Sequence, residues 1–153
     1  MSRALTLSAP RFPAMQADDI DKVRRLETHM MQLPQVDIQT EHLIHGGMYA
    51  RTIHIPAGVV LTGALIKLAT VLVVSGHCTV FIGDNSLELI GHQVVPASAG
   101  RKQVFLAHAD TSLTMLFPSS AKTVAEAEAE FTDEVDRLLS RKQGVGSVTI
   151  TGE

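Results

Sequence analysis

Cysteine, tryptophan and charge are what this sequence has least of. A single Cys78 in 153 residues excludes an internal disulfide and a cysteine-built zinc cluster, and fits a reducing compartment. With no Trp, one Tyr and five Phe, there is too little aromatic surface for a base-stacking or sugar-stacking platform. No apolar run approaches the ~20 residues of a membrane span, and nothing near Met1 has the apolar core of a signal peptide. The net charge of −3 offers nothing to nucleic acid or an anionic membrane. The expectation is a soluble, cytoplasmic, single-domain protein with no nucleic-acid or membrane partner and no cofactor.

The scarcity of charge is local. Residues 41–118 hold only 8 of the 29 charged side chains, so a sparsely charged core lies between two charged flanks. Residues 1–17 mix Pro, Ser and Arg without periodicity and read as an arm. From Asp18, the residues Ile20, Val23, Leu26, Met30 and Leu33 recur every three or four positions, predicting a helix over 18–33 that Asp18 caps and Pro34 stops. Thr123 and Glu126 form a capping box, and Val124, Ala127, Phe131, Val135 and Leu138 make the stripe of a second helix over 123–143, with Gly144 as terminator. Its acids, Glu126 to Asp136, read as a hydrated face, with Arg137, Arg141 and Lys142 at the far end. The tail 144–153 is rich in β-branched residues; edge strand, pairing with a second subunit and mobility all stay open.

Between the helices, β segments are expected at 48–55, 59–67, 70–75, 77–82, 87–90, 93–95, 102–107 and 112–117. Turns are expected at Pro56–Gly58, Ser75-Gly76, Gly83–Asn85, Gly91, Pro96–Gly100 and Ala109-Asp110. Short strands at this spacing predict a mainly β sandwich or barrel. Continuous apolar runs such as Val71–Val74 predict strands covered on both faces, by a helix or a second subunit.

The turn order resembles that of the cupin superfamily, whose first motif is G-x5-H-x-H-x3,4-E-x6-G and whose second is G-x5-P-x-G-x2-H-x3-N. Residues 55–58 (IPAG) and 74–76 (VSG) resemble the ends of the first; Gly91 to Pro96 followed by Gly100 resembles the second. The likeness covers about residues 46–118. Where it places the ligands stand Ala64 and Ile66, uncharged residues at Ala69–Val71, and Arg101 or Lys102. The resemblance therefore implies a cupin-like barrel or jelly roll without the usual metal site. The phrases HGGMYARTI (45–53), TGALIK (62–67), PASAGRKQ (96–103) and EAEFTDE (128–134) resemble small cupin-like proteins of bacteriophage and prophage genomes, implying a bacterial host and no particular reaction.

Six of the seven histidines lie in the core, and no pair has helical metal-ligand spacing. On the strand 48–55, Tyr49, Arg51, Ile53 and Ile55 share one face and His54 takes the other. Arg51, Lys67, Arg101 and Lys102 are all the basic residues between 41 and 118, and would suit a phosphate or carboxylate at the barrel mouth. The candidate ligand-binding set is Arg51, Lys67, Arg101 and Lys102, with His54, Tyr49 and His108; no catalytic or metal residue is assigned. Three functions are carried forward: a non-catalytic module holding a small, anionic ligand; an interaction protein forming a homodimer or higher oligomer; and a metal enzyme using relocated histidines.

Overall fold

Strand-forming residues with period-two burial dominate residues 39–118. The structure, a computed structural model, describes residues 10–143 and 146–153, apart from the side chains of Leu139 and Lys142. Eight strands form one curled sheet: β1 (Gln39–His45), β2 (Met48–Ile55), β3 (Val60–Thr62), β4 (Thr70–Ile82), β5 (Asn85–Ala97), β6 (Val104–Ala107), β7 (Thr111–Pro118) and β8 (Gly146–Ile150). Their order is β3-β6-β4-β7-β2-β1-β8, with β5 on the other edge of β4. Helix α1 (Ala17–Met30) precedes the sheet and α2 (Val124–Phe131) follows it. The expected architecture, mainly β with a helix at either end, is what the chain adopts.

β2 occupies the expected residues. β1 was not anticipated as a strand, because its inward positions are Thr40, His42 and Ile44 and only one of these is strongly apolar. Gly46 and Gly47 join the two at φ 60° and 72°, the left-handed pair that a two-residue hairpin turn requires. In the expected strand 59–67 only Val60–Thr62 pairs continuously, with one further bridge from Ile66 to Arg101.

The turns expected at Gly76 and Gly91 are absent. Each glycine lies inside a 13-residue strand, and the two face each other in the β4–β5 ladder. Gly76 is needed because other backbone crosses it: a Cβ there would lie 2.5 Å from Thr111 Oγ1 and 2.7 Å from the Asp110 carbonyl, at φ 142°. At this point β4 exchanges neighbours. Val71–Ser75 pair with β7, whereas Cys78–Phe81 pair with β6. That exchange curls the sheet around a core in which Tyr49, Val74, Cys78, Val80 and Val95 are fully buried.

α1 starts one residue early, with Gln16 as an N-cap that makes no side-chain bond, while Asp18 and Asp19 sit in its first turn. Its buried residues are Val23 and Glu27; Leu26 stays 38% exposed. The expected last helix is broken. α2 stops at Thr132, a 3-10 turn follows at Val135–Arg137, and a short α3 spans Leu139–Gln143. Half of the expected capping box forms: Glu126 N donates to Thr123 Oγ1 at 3.2 Å, but the Glu126 carboxylate accepts from Lys122 N at 3.3 Å rather than from Thr123 N. Residues 10–16 of the expected arm are docked: Phe12 is fully buried and exchanges backbone bonds with Pro96 and Ser98. The tail supplies an edge strand, β8, parallel to β1. Gly144, expected to terminate the helix, and residues 1–9 of the arm lie outside the described residues.

Candidate functional site

A cavity of about 110 Å³ occupies the inside of the curled sheet. Its walls are mostly apolar: Ile53, Leu61, Leu72, Phe105, Leu113 and Met115 contribute, with Phe131 and Leu138 closing it from the C-terminal segment. Ala64, Ile66 and Arg101, positions where the sequence resemblance places metal ligands, also line it, and none offers a metal-coordinating side chain. Such a volume lies between a few water molecules and the ~150 Å³ that takes up benzene.

Arg101 is the largest fully buried side chain here, 2% exposed. Nη1 donates to the carbonyls of Ser98 at 2.7 Å and Leu68 at 3.3 Å, and Nη2 to Thr70 Oγ1 at 2.8 Å. No carboxylate among the described residues pairs with it, and burial draws its pKa down to about 10. Beside it on the cavity wall, Gln103 is 4% exposed and its Nε2 has no hydrogen-bond partner. Arg101, a buried cation without a counter-charge, and Gln103, whose buried amide nitrogen lacks an acceptor, thus line one small, largely apolar space.

Lys102, the next residue along, points elsewhere. It is 0% exposed and donates to Glu27 Oε2 at 3.1 Å and Glu134 Oε1 at 2.8 Å. Glu27 also pairs with Arg137, and Glu134 accepts from Leu65 N at 2.8 Å and Arg24 Nε at 3.4 Å. Burial pushes the Glu134 carboxyl up, but the hydrogen bond from Lys102, that from Leu65 N, the Lys102 charge and the Arg24 bond together hold it below its ordinary value. These bonds tie α1, β6's leading segment and the 3-10 turn into one unit. Lys67 lies outside the cavity, 42% exposed, with Nζ 2.6 Å from Asp133.

Arg51 reaches the cavity wall from β2. Its guanidinium sits 3.4 Å from Glu128, 3.1 Å from Ser140 Oγ and 5.6 Å from the centre of the Phe131 ring. Tyr49, two residues earlier on that face, is fully buried and shares a 2.7 Å hydrogen bond with His42 Nδ1. Burial, and then the Arg51 charge, hold the imidazole below its usual pKa, so His42 is neutral at pH 7. Burial raises the Tyr49 phenol. Both are core groups satisfied by each other.

Of the seven candidates, the structure brings Arg51 and Arg101 to the cavity. Lys67 and Lys102 are taken by carboxylates, Tyr49 by the core, and His54 and His108 by the outer face of the sheet. His54 pairs there with Glu41 and with Ser112 Oγ, the latter at 3.1 Å. Sequence reasoning missed Gln103, Glu27, Glu128 and Glu134. The last two belong to the acidic run expected to be hydrated, yet Glu128 is 3% exposed and accepts from Arg51 and Arg141.

No family model and no curated protein matches the chain. Solved structures similar to it include a cupin superfamily protein from Desulfitobacterium hafniense (9% identity, 57% of this chain and 83% of that one, TM-score 0.47). Others are the Clostridium difficile EutQ protein (10%, 60% and 69%, TM-score 0.47) and a Cupin 2 conserved barrel domain protein from Salinispora arenicola (9%, 65% and 89%, TM-score 0.44).

Proposed function

We propose that this is a non-catalytic, cupin-like binding protein that holds a small molecule with an apolar body and an anionic head inside the sheet. The observation that carries the reading is the largely apolar cavity, lined by Arg101, which lacks a counter-charge, and by Gln103, whose Nε2 lacks an acceptor. A carboxylate supplies both: one oxygen for the guanidinium and one for the amide, while the chain or ring behind it meets Leu72, Phe105 and Met115. Lys67, Lys102 and His54 then serve the scaffold, and Arg51 lines the wall while remaining paired with Glu128. The test is thermal shift of the purified chain with acetate, propionate and butyrate, which match the cavity's size, their amides, and inorganic phosphate. Carboxylates that raise the melting temperature of the parent and not of Gln103→Leu or Arg101→Met support the reading. No shift with any compound sinks it.

A second reading, an interaction module that pairs with its own copy, has a specific observation in its favour. On the outer face, Pro96, Val71, Leu116, Ala50 and Leu43 stand in one cross-strand row, with Val94 and Val73 beside them. Val71 and Val94 are 45% and 58% exposed. An uncharged strip of this kind suits a two-fold partner, because a second copy brings the same apolar row to it. The setting we propose is a phage or prophage genome in a bacterial cytoplasm, supported by the four sequence phrases. Genomic neighbours free of phage genes would remove that setting. Among the described residues no helix is long and apolar enough to cross a membrane.

A further inference from the structure

Three metal-capable side chains meet on the outer face of the sheet, away from the cavity. His77 and Thr79 are outward residues of β4, two positions apart, and inward-facing Cys78 lies between them. Glu88 of β5 stands opposite Thr79 in the ladder. His108 follows β6, in the loop to β7. One ligand atom from each of His77, Glu88 and His108 lies within 4.8 Å of the other two.

The arrangement is held by the backbone. His108 N donates to the His77 carbonyl at 2.8 Å and Ala109 N to the same oxygen at 3.3 Å, so the loop is fastened to the strand that carries the first histidine. The rings of His77 and His108 lie 4.7 Å apart. Thr79 Oγ1 sits 2.7 Å from His108 Nε2, a partner that fixes the ring, as hydrogen-bonded neighbours of metal-bound histidines do.

One atom makes this more than a surface cluster. His77 is 36% exposed as a side chain, yet its Nε2 is shut off from solvent and has no hydrogen-bond partner. Glu88 Oε2 is only 3.3 Å away but not aligned for a hydrogen bond. A buried lone-pair or N–H group with nothing to bind is uncommon in folded proteins. An ion beside it would use that nitrogen, the Glu88 carboxylate and a nitrogen of His108.

We propose that His77, Glu88 and His108 bind one divalent transition metal of the zinc type on the outer face of the sheet. Two imidazoles and one carboxylate select such an ion over magnesium or calcium, which take oxygen ligands. Bonds of about 2.0–2.2 Å require the ligand atoms to draw together by roughly an ångström. Glu88, 57% exposed, has the freedom to do so. The bound ion pins the β6–β7 loop to the β4–β5 hairpin at the point where β4 changes neighbours, and water fills its remaining position. The site is on the opposite face from the carboxylate cavity and does not depend on it.

The test uses the full chain, free of any histidine tag, titrated with zinc chloride by calorimetry, with melting temperature as a second readout. One equivalent is expected to bind and to raise the melting temperature. Glu88→Gln and His108→Ala, both surface changes, should each weaken binding at least tenfold, and Thr79→Val, a positioning change, by about tenfold. His92→Ala, elsewhere on the same face, should leave affinity unchanged. No saturable binding at submillimolar zinc in a folded parent overturns the proposal. So does binding that survives Glu88→Gln and His108→Ala, because those ions would then sit on other histidines.

Discussion

Lys102→Met separates the two neighbouring cations that the sequence presents as alike. Lys102 is fully buried between Glu27 and Glu134, which are themselves nearly enclosed, and the substitution keeps its stem while removing its charge. Breaking a buried pair from one side costs about 3–5 kcal/mol because the remaining charge is stranded. Here Glu27 keeps Arg137, and Glu134 keeps Leu65 N and Arg24, so the expected loss is smaller, about 2–3 kcal/mol. With a urea m-value of about 1–3 kcal/mol/M for a domain of this size, the midpoint should fall by roughly 1–2 M at unchanged m. Glu134→Leu combined with Lys102→Met should recover part of it, since an apolar replacement of both partners leaves less charge stranded. The pH dependence has a definite sign. The Glu134 carboxyl is held below its ordinary 4.5, so its contribution is complete above that value and is lost as pH falls through the lower, folded value. The gap between parent and variant should therefore narrow on acidification. A loss under about 0.5 kcal/mol, or a gap that widens below pH 4.5, would refute the ion-pair argument, because breaking a buried pair should cost far more.

Three further outcomes follow from the same structure. Gly76→Ala should cost about 2 kcal/mol or more in denaturant unfolding, since its methyl meets Thr111 and Asp110 at less than contact distance and its backbone is left-handed; a neutral result would show that the loop does not cross there. Cys78 is 0% exposed with its thiol pKa raised by burial, so it should resist a thiol reagent at pH 7 until denaturant is added; labelling of the native protein would contradict its placement. Under the second reading, Val94→Lys, at an outer-face position, should shift the parent from dimer to monomer by light scattering; a parent already monomeric at high concentration removes that reading.

Apolar alternation in the strands was the readable signal, whereas polar burial was not, and the apolar stripe from Val124 to Leu138 suggested one helix where the chain makes three short turns of structure. β2 shows its alternation plainly in Tyr49, Ile53 and Ile55, and it was found to the residue. β1 hides the same alternation behind Thr40 and His42, whose burial depends on partners such as Tyr49 that only the folded sheet supplies. Gly76 and Gly91 carry the composition of turns, but they are strand residues: Gly76 is glycine because Thr111 and Asp110 pass against it, Gly91 because its backbone takes a φ of 78°. The same holds at the candidate site. Arg101 and Lys102 are read alike, as cations at the barrel mouth, and nothing in the string distinguishes one from the other. On a β segment, neighbours face opposite ways, so one meets the cavity and the other meets Glu27 and Glu134.

The ladder between β4 and β5 has a consequence for how the chain assembles. Thirteen residue pairs close through Gly83-Asp84 alone, so this hairpin needs no other part of the protein to register itself. Hairpins of this kind form in about 1–10 μs. The parallel pairing of β8 with β1 joins residues more than a hundred positions apart and must wait for most of the loop entropy to be lost. Assembly is expected to begin at the hairpin and finish at β8, with φ-values high along β4–β5 and near zero from Gly146 to Ile150. A high φ-value in β8 would reverse that order.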